Sequence, residues 1–142
     1  MSYNVLVVDD DRIMAQYLAD MLGLLGHTAS IAAGPRAALR SISLAVPEVI
    51  FLDVNMPGVD GLEVCRYLRR DPRTTSLPII IVSATDDPAH REAAFRAGAD
   101  LFIAKPAMLD DLENALKRIT LHKGYVTPPG ENRSPSSKSA GE

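Results

Sequence analysis

The sequence predicts an α/β fold: a parallel sheet sandwiched between layers of helices. Two observations carry this. Short β-rich runs alternate five times with longer helical patterns, and the alternation itself implies βαβ units with right-handed crossovers. Runs such as "VIFL" and "IIIV" are apolar without a polar alternate, as strands buried on both faces must be.

The strands are expected at residues 4–8, 28–32, 48–53, 78–83 and 101–104. The first helix is expected over about 12–25, with Ile13, Tyr17, Leu18, Met21, Leu22 and Leu25 on one apolar stripe. The second, third and fourth helices fall at about 35–45, 62–70 and 87–97 and are less amphipathic. The fifth runs over about 108–121, with Leu109, Leu112, Leu116 and Ile119 spaced three or four apart. Gly26, Gly34, Gly61 and Gly98 punctuate the elements as stops or tight turns. From residue 123 the composition shifts. "TPPGENRSPSSKSAGE" has no large aliphatic residue and is rich in Pro, Ser and Gly. A folded domain over 1–122 and a disordered tail or linker over 123–142 are therefore expected.

Bulk properties exclude several classes. The 142 residues fit one domain, and 46% hydrophobic content supports a real core. A net charge of −3 with scattered basic residues gives no nucleic-acid footprint. No apolar run approaches the ~20 residues of a membrane helix, and no signal peptide is visible. One cysteine, Cys65, makes no disulfide framework; it reads as core filler, and a cytoplasmic setting is expected. His27, His90 and His122 read as surface residues.

In open α/β sheets, ligands bind beyond the carboxyl ends of the strands. There the first strand delivers Asp9, Asp10 and Asp11, the third Asp53, the fourth Ser83, Ala84 and Thr85, and the fifth Lys105 and Pro106. The second delivers only Ala32 and Ala33. Three like charges at one strand tip repel, and a cation relieves them. Oxygen ligands without His or Cys favour Mg²⁺ over zinc. A hydroxyl and a lysine suit phosphoryl oxygens, and the remaining carboxylate can act as a nucleophile that forms an acyl phosphate. Taken singly, each residue has a plainer reading. Asp11 stands where a helix N-cap would, Asp9 and Asp10 suit a helix start, Asp53 suits a turn, Ser83 is a structural hydroxyl and Lys105 a solvated charge. Their agreement across segments about 100 residues apart is what points to a site.

Together "VLVVDDD", "VIFLDVNMPGVDGLE", "PIIIVSA", "AGAD" and "AKP" resemble the receiver domain of bacterial two-component response regulators, chemotaxis-type single-domain receivers included. The resemblance covers 4 to about 121. It implies a flavodoxin-like (βα)5 fold, a doubly wound five-stranded sheet in strand order 2-1-3-4-5. It implies Asp53 as phosphoacceptor, and Asp9 and Asp10 as the acidic pair that holds Mg²⁺ with Asp53 and the Asn55 carbonyl. It implies that the Ala84 N–H contacts the phosphoryl group, that Lys105 pairs with its oxygens, and that Ser83 and Phe102 form the switch. Lys105-Pro106 matches a position where the family's peptide bond is cis. The implied partners are a sensor histidine kinase or phosphotransfer protein, and a downstream protein bound through the fourth helix, fifth strand and fifth helix. Such a protein is a signalling receiver that catalyses only its own phosphorylation and dephosphorylation.

Two departures stand out. Ala107 occupies a place where the family usually has a bulky apolar residue, and Phe102 lacks a hydroxyl. With only the Pro/Ser-rich stretch after the domain, a stand-alone receiver or a piece of a longer chain is expected. The rival readings are a degenerate receiver acting as an adaptor, a haloacid-dehalogenase-like phosphatase and an FMN binder. The phosphatase matches the Asp-x-Asp after an apolar strand, but Ile13 stands where it wants Thr or Val. The FMN loop must cradle a phosphate, which three acids would repel.

Overall fold

The computed structural model describes residues 2–123. Beyond Lys123 the expected tail lies outside the described residues. The strands are β1 (Asn4–Val8), β2 (Thr28–Ala32), β3 (Val49–Asp53), β4 (Ile79–Ser83) and β5 (Leu101–Ala104). The helices are α1 (Arg12–Leu24), α2 (Pro35–Leu44), α3 (Gly61–Arg70), α4 (Pro88–Ala97) and α5 (Leu109–Lys123). All strand pairs are parallel, in the order β2-β1-β3-β4-β5.

Burial follows position in the sheet. Every residue of the inner strands β3 and β4 is buried, whereas the edge strands β2 and β5 are only partly covered. Successive side chains point to opposite faces. Val5, Val7, Val49, Phe51, Ile80, Val82 and Ile103 therefore pack with Leu18 and Leu22 of α1 and Leu112, Leu116 and Ile119 of α5. Leu6, Val8, Ile50, Leu52, Ile79 and Ile81 pack on the other side with α2, α3 and α4. Cys65 is buried in this second layer, its thiol pushed up to about 11 by burial.

The α1 stripe differs from the sequence expectation. Ala15, Leu18, Met21 and Leu22 face the sheet, while Ile13 is 84% exposed and Tyr17 is also on the outside. On a helix of 3.6 residues per turn, position 13 lies about 140° from position 18 and cannot share its face. Leu109 at the start of α5 is likewise on the surface. His27 is half-buried rather than a surface residue: its ring stacks on Tyr3, its Nδ1 accepts from the Tyr3 N–H at 3.0 Å, and burial lowers its pKa.

Two glycines are required by close approach. Gly98 ends α4 at φ 115°, and a Cβ there would strike the Arg69 side chain at 2.6 Å. Arg69 ties the ends of α3, α4 and β5 together, donating to Gly98 O at 2.9 Å and Leu77 O at 2.7 Å and pairing with Asp100 at 2.8 Å. Gly61 opens α3 against the loop after β3, where a Cβ would lie 2.6 Å from the Val54 Cα. That backbone cannot yield without moving Asp53. Gly61→Ala is expected to cost about 1–3 kcal/mol in urea unfolding. Gly23→Ala, on α1 with nothing within 4 Å of the new methyl, should instead gain about 0.5–1 kcal/mol. A neutral Gly61→Ala would contradict the packing described here.

Candidate functional site

The register of the sheet assembles the site. Ala32, Val8, Leu52, Ile81 and Phe102 stand side by side across the five strands. One residue further on are Asp9 and Asp53, on adjacent strands. Ser83 lies opposite Ala104 one step beyond Asp53's partner Val82, and Lys105 follows Ala104 with its N–H on Ser83 O at 2.8 Å. Alternation then sorts the side chains. Asp9, Asp53 and Lys105 share parity with the face covered by α1 and α5; Ser83 and Phe102 share parity with the α4 face.

Carboxylate oxygens of Asp9, Asp10 and Asp53 come within 4.8 Å of one another. Asp9 and Asp53 are buried, and Asp10 is exposed. Lys105 Nζ reaches Asp53 Oδ1 at 3.0 Å, and the Asn55 N–H donates to the same oxygen at 2.9 Å. Asp9 Oδ1 accepts from the Asp11 N–H at 2.9 Å, but Asp9 Oδ2 is buried with no hydrogen-bond partner among the described residues. Burial pushes the Asp9 carboxyl up from 3.8 to about 6; the Asp11 N–H pulls it down, and the neighbouring Asp53 carboxylate raises it again. An orphaned, buried carboxylate oxygen beside two further carboxylates is a donor set that fits a hard divalent cation. Asp11 itself stands apart as the N-cap of α1, accepting from Ile13 N and Met14 N.

The fourth strand's groups are turned toward partners of their own. Ser83 Oγ donates to Thr85 O at 3.1 Å and accepts from Thr85 N at 3.0 Å. The Ala84 N–H donates to Asn55 Oδ1 at 2.6 Å. Phe102 is half-buried beneath the Arg91 guanidinium, 4.7 Å from its ring centre, and Arg91 in turn pairs with Asp86 at 2.6 Å. Asp87 caps α4 through the His90 N–H at 2.8 Å. A groove of about 670 Å³ runs beside these groups, lined by Arg91, Phe95, Phe102, Asn114 and Arg118 among others. The Lys105-Pro106 peptide bond is cis, and Ala107 is buried.

Every site residue expected from the sequence lies at this edge, with Phe102 at the end of the adjoining row. The sequence reading missed the side-chain role of Asn55, the Thr85 turn around Ser83 and the Arg91 contact with Phe102. Asn55 was legible only through its backbone, and no local pattern marks the other two.

A five-stranded parallel sheet in this strand order, with acids, a hydroxyl and a lysine at its carboxyl edge, places the protein among signalling modules of the receiver class. The chain belongs to the response regulator receiver domain family, whose profile matches residues 5–117. The response regulator MprA of Mycobacterium ulcerans (strain Agy99) is 42% identical over 112 residues, covering 79% of this chain and 47% of that protein. The chain thus spans about half the length of the curated relatives it matches. Chemotaxis protein CheY4 of Vibrio cholerae superposes with a TM-score of 0.78 at 28% identity, covering 84% of this chain and 99% of that one. The receiver domain of sensor histidine kinase PA1611 from Pseudomonas aeruginosa PAO1 superposes with a TM-score of 0.75 at 27% identity, over 83% of this chain and 97% of that one. That structure holds a magnesium ion in its active-site cleft. Among the described residues, no helix is long and apolar enough to cross a membrane.

The Asp9 environment has a measurable consequence. Its raised pKa means the folded protein holds this proton more tightly than the unfolded chain does. Stability is therefore lost as pH rises from about 4 through 6. Without divalent cations at pH 8, Asp9→Asn is expected to be more stable than wild type, by on the order of 1–3 kcal/mol, because the buried Asp9 carboxyl ionises at a cost in the folded protein. The advantage should fade below about pH 4. Equal stabilities at both pH values in chemical denaturation would rule this out.

Proposed function

We propose that this chain is a phosphoaccepting receiver of a two-component phosphorelay. It takes a phosphoryl group from a histidine kinase or phosphotransfer protein onto Asp53 and thereby switches a partner-binding surface. One observation carries the reading: Asp53 is buried at the sheet edge, held by Lys105 at 3.0 Å, with Asp9 and Asp10 beside it. An Asp53 oxygen attacks phosphorus; the O–P bond forms as the P–N bond to the donor imidazole breaks, and the imidazole leaves with the electron pair. Asp9, Asp10, Asp53 and the Asn55 carbonyl would hold Mg²⁺, as the orphaned Asp9 oxygen supports. Bound there, the ion supplies charge neutralisation for the phosphoryl oxygens. Lys105 is free to move from the Asp53 carboxylate to a phosphoryl oxygen, a charge-assisted exchange of like for like.

Output follows from Ser83. Its hydroxyl must leave Thr85 to reach the phosphoryl group, and the space it vacates lies on the same sheet face as Phe102. The ring turns inward, out from under Arg91, and the surface of α4, β5 and α5 is rebuilt for a downstream protein. Phe102 has no polar tip to hold it in water, so the inward state is opposed by the Arg91 contact and by Ser83 in its resting position but by no lost hydrogen bond of the ring itself, which should give a graded switch.

Acetyl phosphate with Mg²⁺ should add one hydroxylamine-labile phosphoryl group, read by intact mass. Asp53→Asn should add none; stoichiometric labelling of that variant would overturn the assignment. Lys105→Ala and Ser83→Ala should still bind beryllofluoride but lose the NMR shifts in α4 and β5 that it produces in wild type. Undiminished shifts in both variants would refute the coupling.

A further inference from the structure

The ladder between β3 and β4 continues past both strands. Asp53 lies opposite Val82, and the Val54 N–H donates to Val82 O at 3.3 Å. The next contact between the two exits is made by a side chain. The Ala84 N–H donates to Asn55 Oδ1 at 2.6 Å. An N–H can face only an acceptor, so the amide orientation is fixed, with Oδ1 on Ala84 and the NH₂ turned away. Asn55 also donates its own N–H to Asp53 Oδ1 at 2.9 Å. Residue 55 therefore touches the acceptor carboxylate with its backbone and the opposite strand's exit with its side chain. Both Asn55 and Ala84 are exposed, so water can take over either group once they separate.

We propose that Asn55 is a positioning residue whose side-chain oxygen stands in for a phosphoryl oxygen, occupying the Ala84 N–H while Asp53 is bare and releasing it when Asp53 carries the phosphoryl group. This rests on the reading of Asp53 given above. The Ala84 N–H has one hydrogen and cannot serve two acceptors at full strength. A phosphoryl oxygen is ionised and outcompetes a neutral amide. It gains the Ala84 bond only after the Asn55 bond breaks, so the stand-in weakens binding of the phosphoryl group. In return it keeps the loop between β4 and α4 within reach of Asp53. Ser83 and Lys105 follow the same scheme. One holds Thr85 and the other holds Asp53, so each of the three groups that would meet the phosphoryl oxygens begins with an internal partner.

The test uses the whole chain as wild type, Asn55→Ala and Asn55→Asp, with beryllofluoride as probe at saturating Mg²⁺. In unliganded wild type the Ala84 amide proton should resonate far downfield, as a 2.6 Å bond requires. Asn55→Ala should move it upfield and speed its exchange with solvent; Asn55→Asp, which keeps an oxygen at the same reach, should restore it. Beryllofluoride affinity should rise about three- to tenfold in Asn55→Ala, the worth of one ordinary hydrogen bond, and should not rise in Asn55→Asp. An Ala84 amide indifferent to Asn55→Ala overturns the stand-in, as does an unchanged or lowered affinity. If all three proteins bind beryllofluoride equally, Asp53 keeps its role and the stand-in falls. If none binds it, the reading of Asp53 itself falls, and the exchange with it.

Discussion

Three carboxylates and one ammonium share the end of this sheet, and the charges do not balance. Lys105 satisfies Asp53, yet Asp9 is buried with an unpartnered oxygen and a pKa pushed up to about 6. Like charges about 4 Å apart repel by about 4 kcal/mol at an effective dielectric near 20. A fold bearing such a tension is less stable than it need be, and on the proposed reading a cation bound among these carboxylates would relieve it. Much of what surrounds the site either supplies these charges or keeps them in place.

The sheet keeps them in place by register. Parallel pairing puts Asp9 and Asp53 side by side, and alternation puts Lys105 on the same face. Ser83 and Phe102 fall on the other face, where α4 packs. The charged groups and the two residues proposed to respond to them thus occupy opposite sides of one strand layer, joined through the backbone of β4 and β5. Away from the site, Arg69 and Gly98 clamp the carboxyl end of α4, while the other end is held by exposed contacts, Arg91 with Asp86 and His90 with Asp87. The helix is therefore better anchored at the end remote from Asp53 than at the end near it.

Much of this was legible in the sequence. β3 and β4 show as unbroken apolar runs because both of their faces are covered, and the acids show because they end such runs. Asp11 reads correctly as a helix cap because capping is local. Ile13, Tyr17 and Leu109 mislead because an apolar residue beside an apolar stripe need not share its angle. Asn55 on Ala84 and Arg69 on Asp100 span 29 and 31 residues. Such contacts are set by the fold rather than by spacing, so no pattern announces them. His27 looked like a surface residue for the same reason: its partner Tyr3 reaches it only across paired strands.

The central claim is that the acidic cluster is a strained, cation-seeking site. It is tested most directly by the midpoint of thermal unfolding during a Mg²⁺ titration, with Na⁺ at matched ionic strength as the reference. Binding to the folded state alone stabilises by RT ln(1 + [Mg²⁺]/Kd). The account predicts a saturable rise with Mg²⁺ that Na⁺ does not reproduce and that Asp10→Asn largely removes. A midpoint that ignores Mg²⁺, or that rises equally with Na⁺, would contradict it.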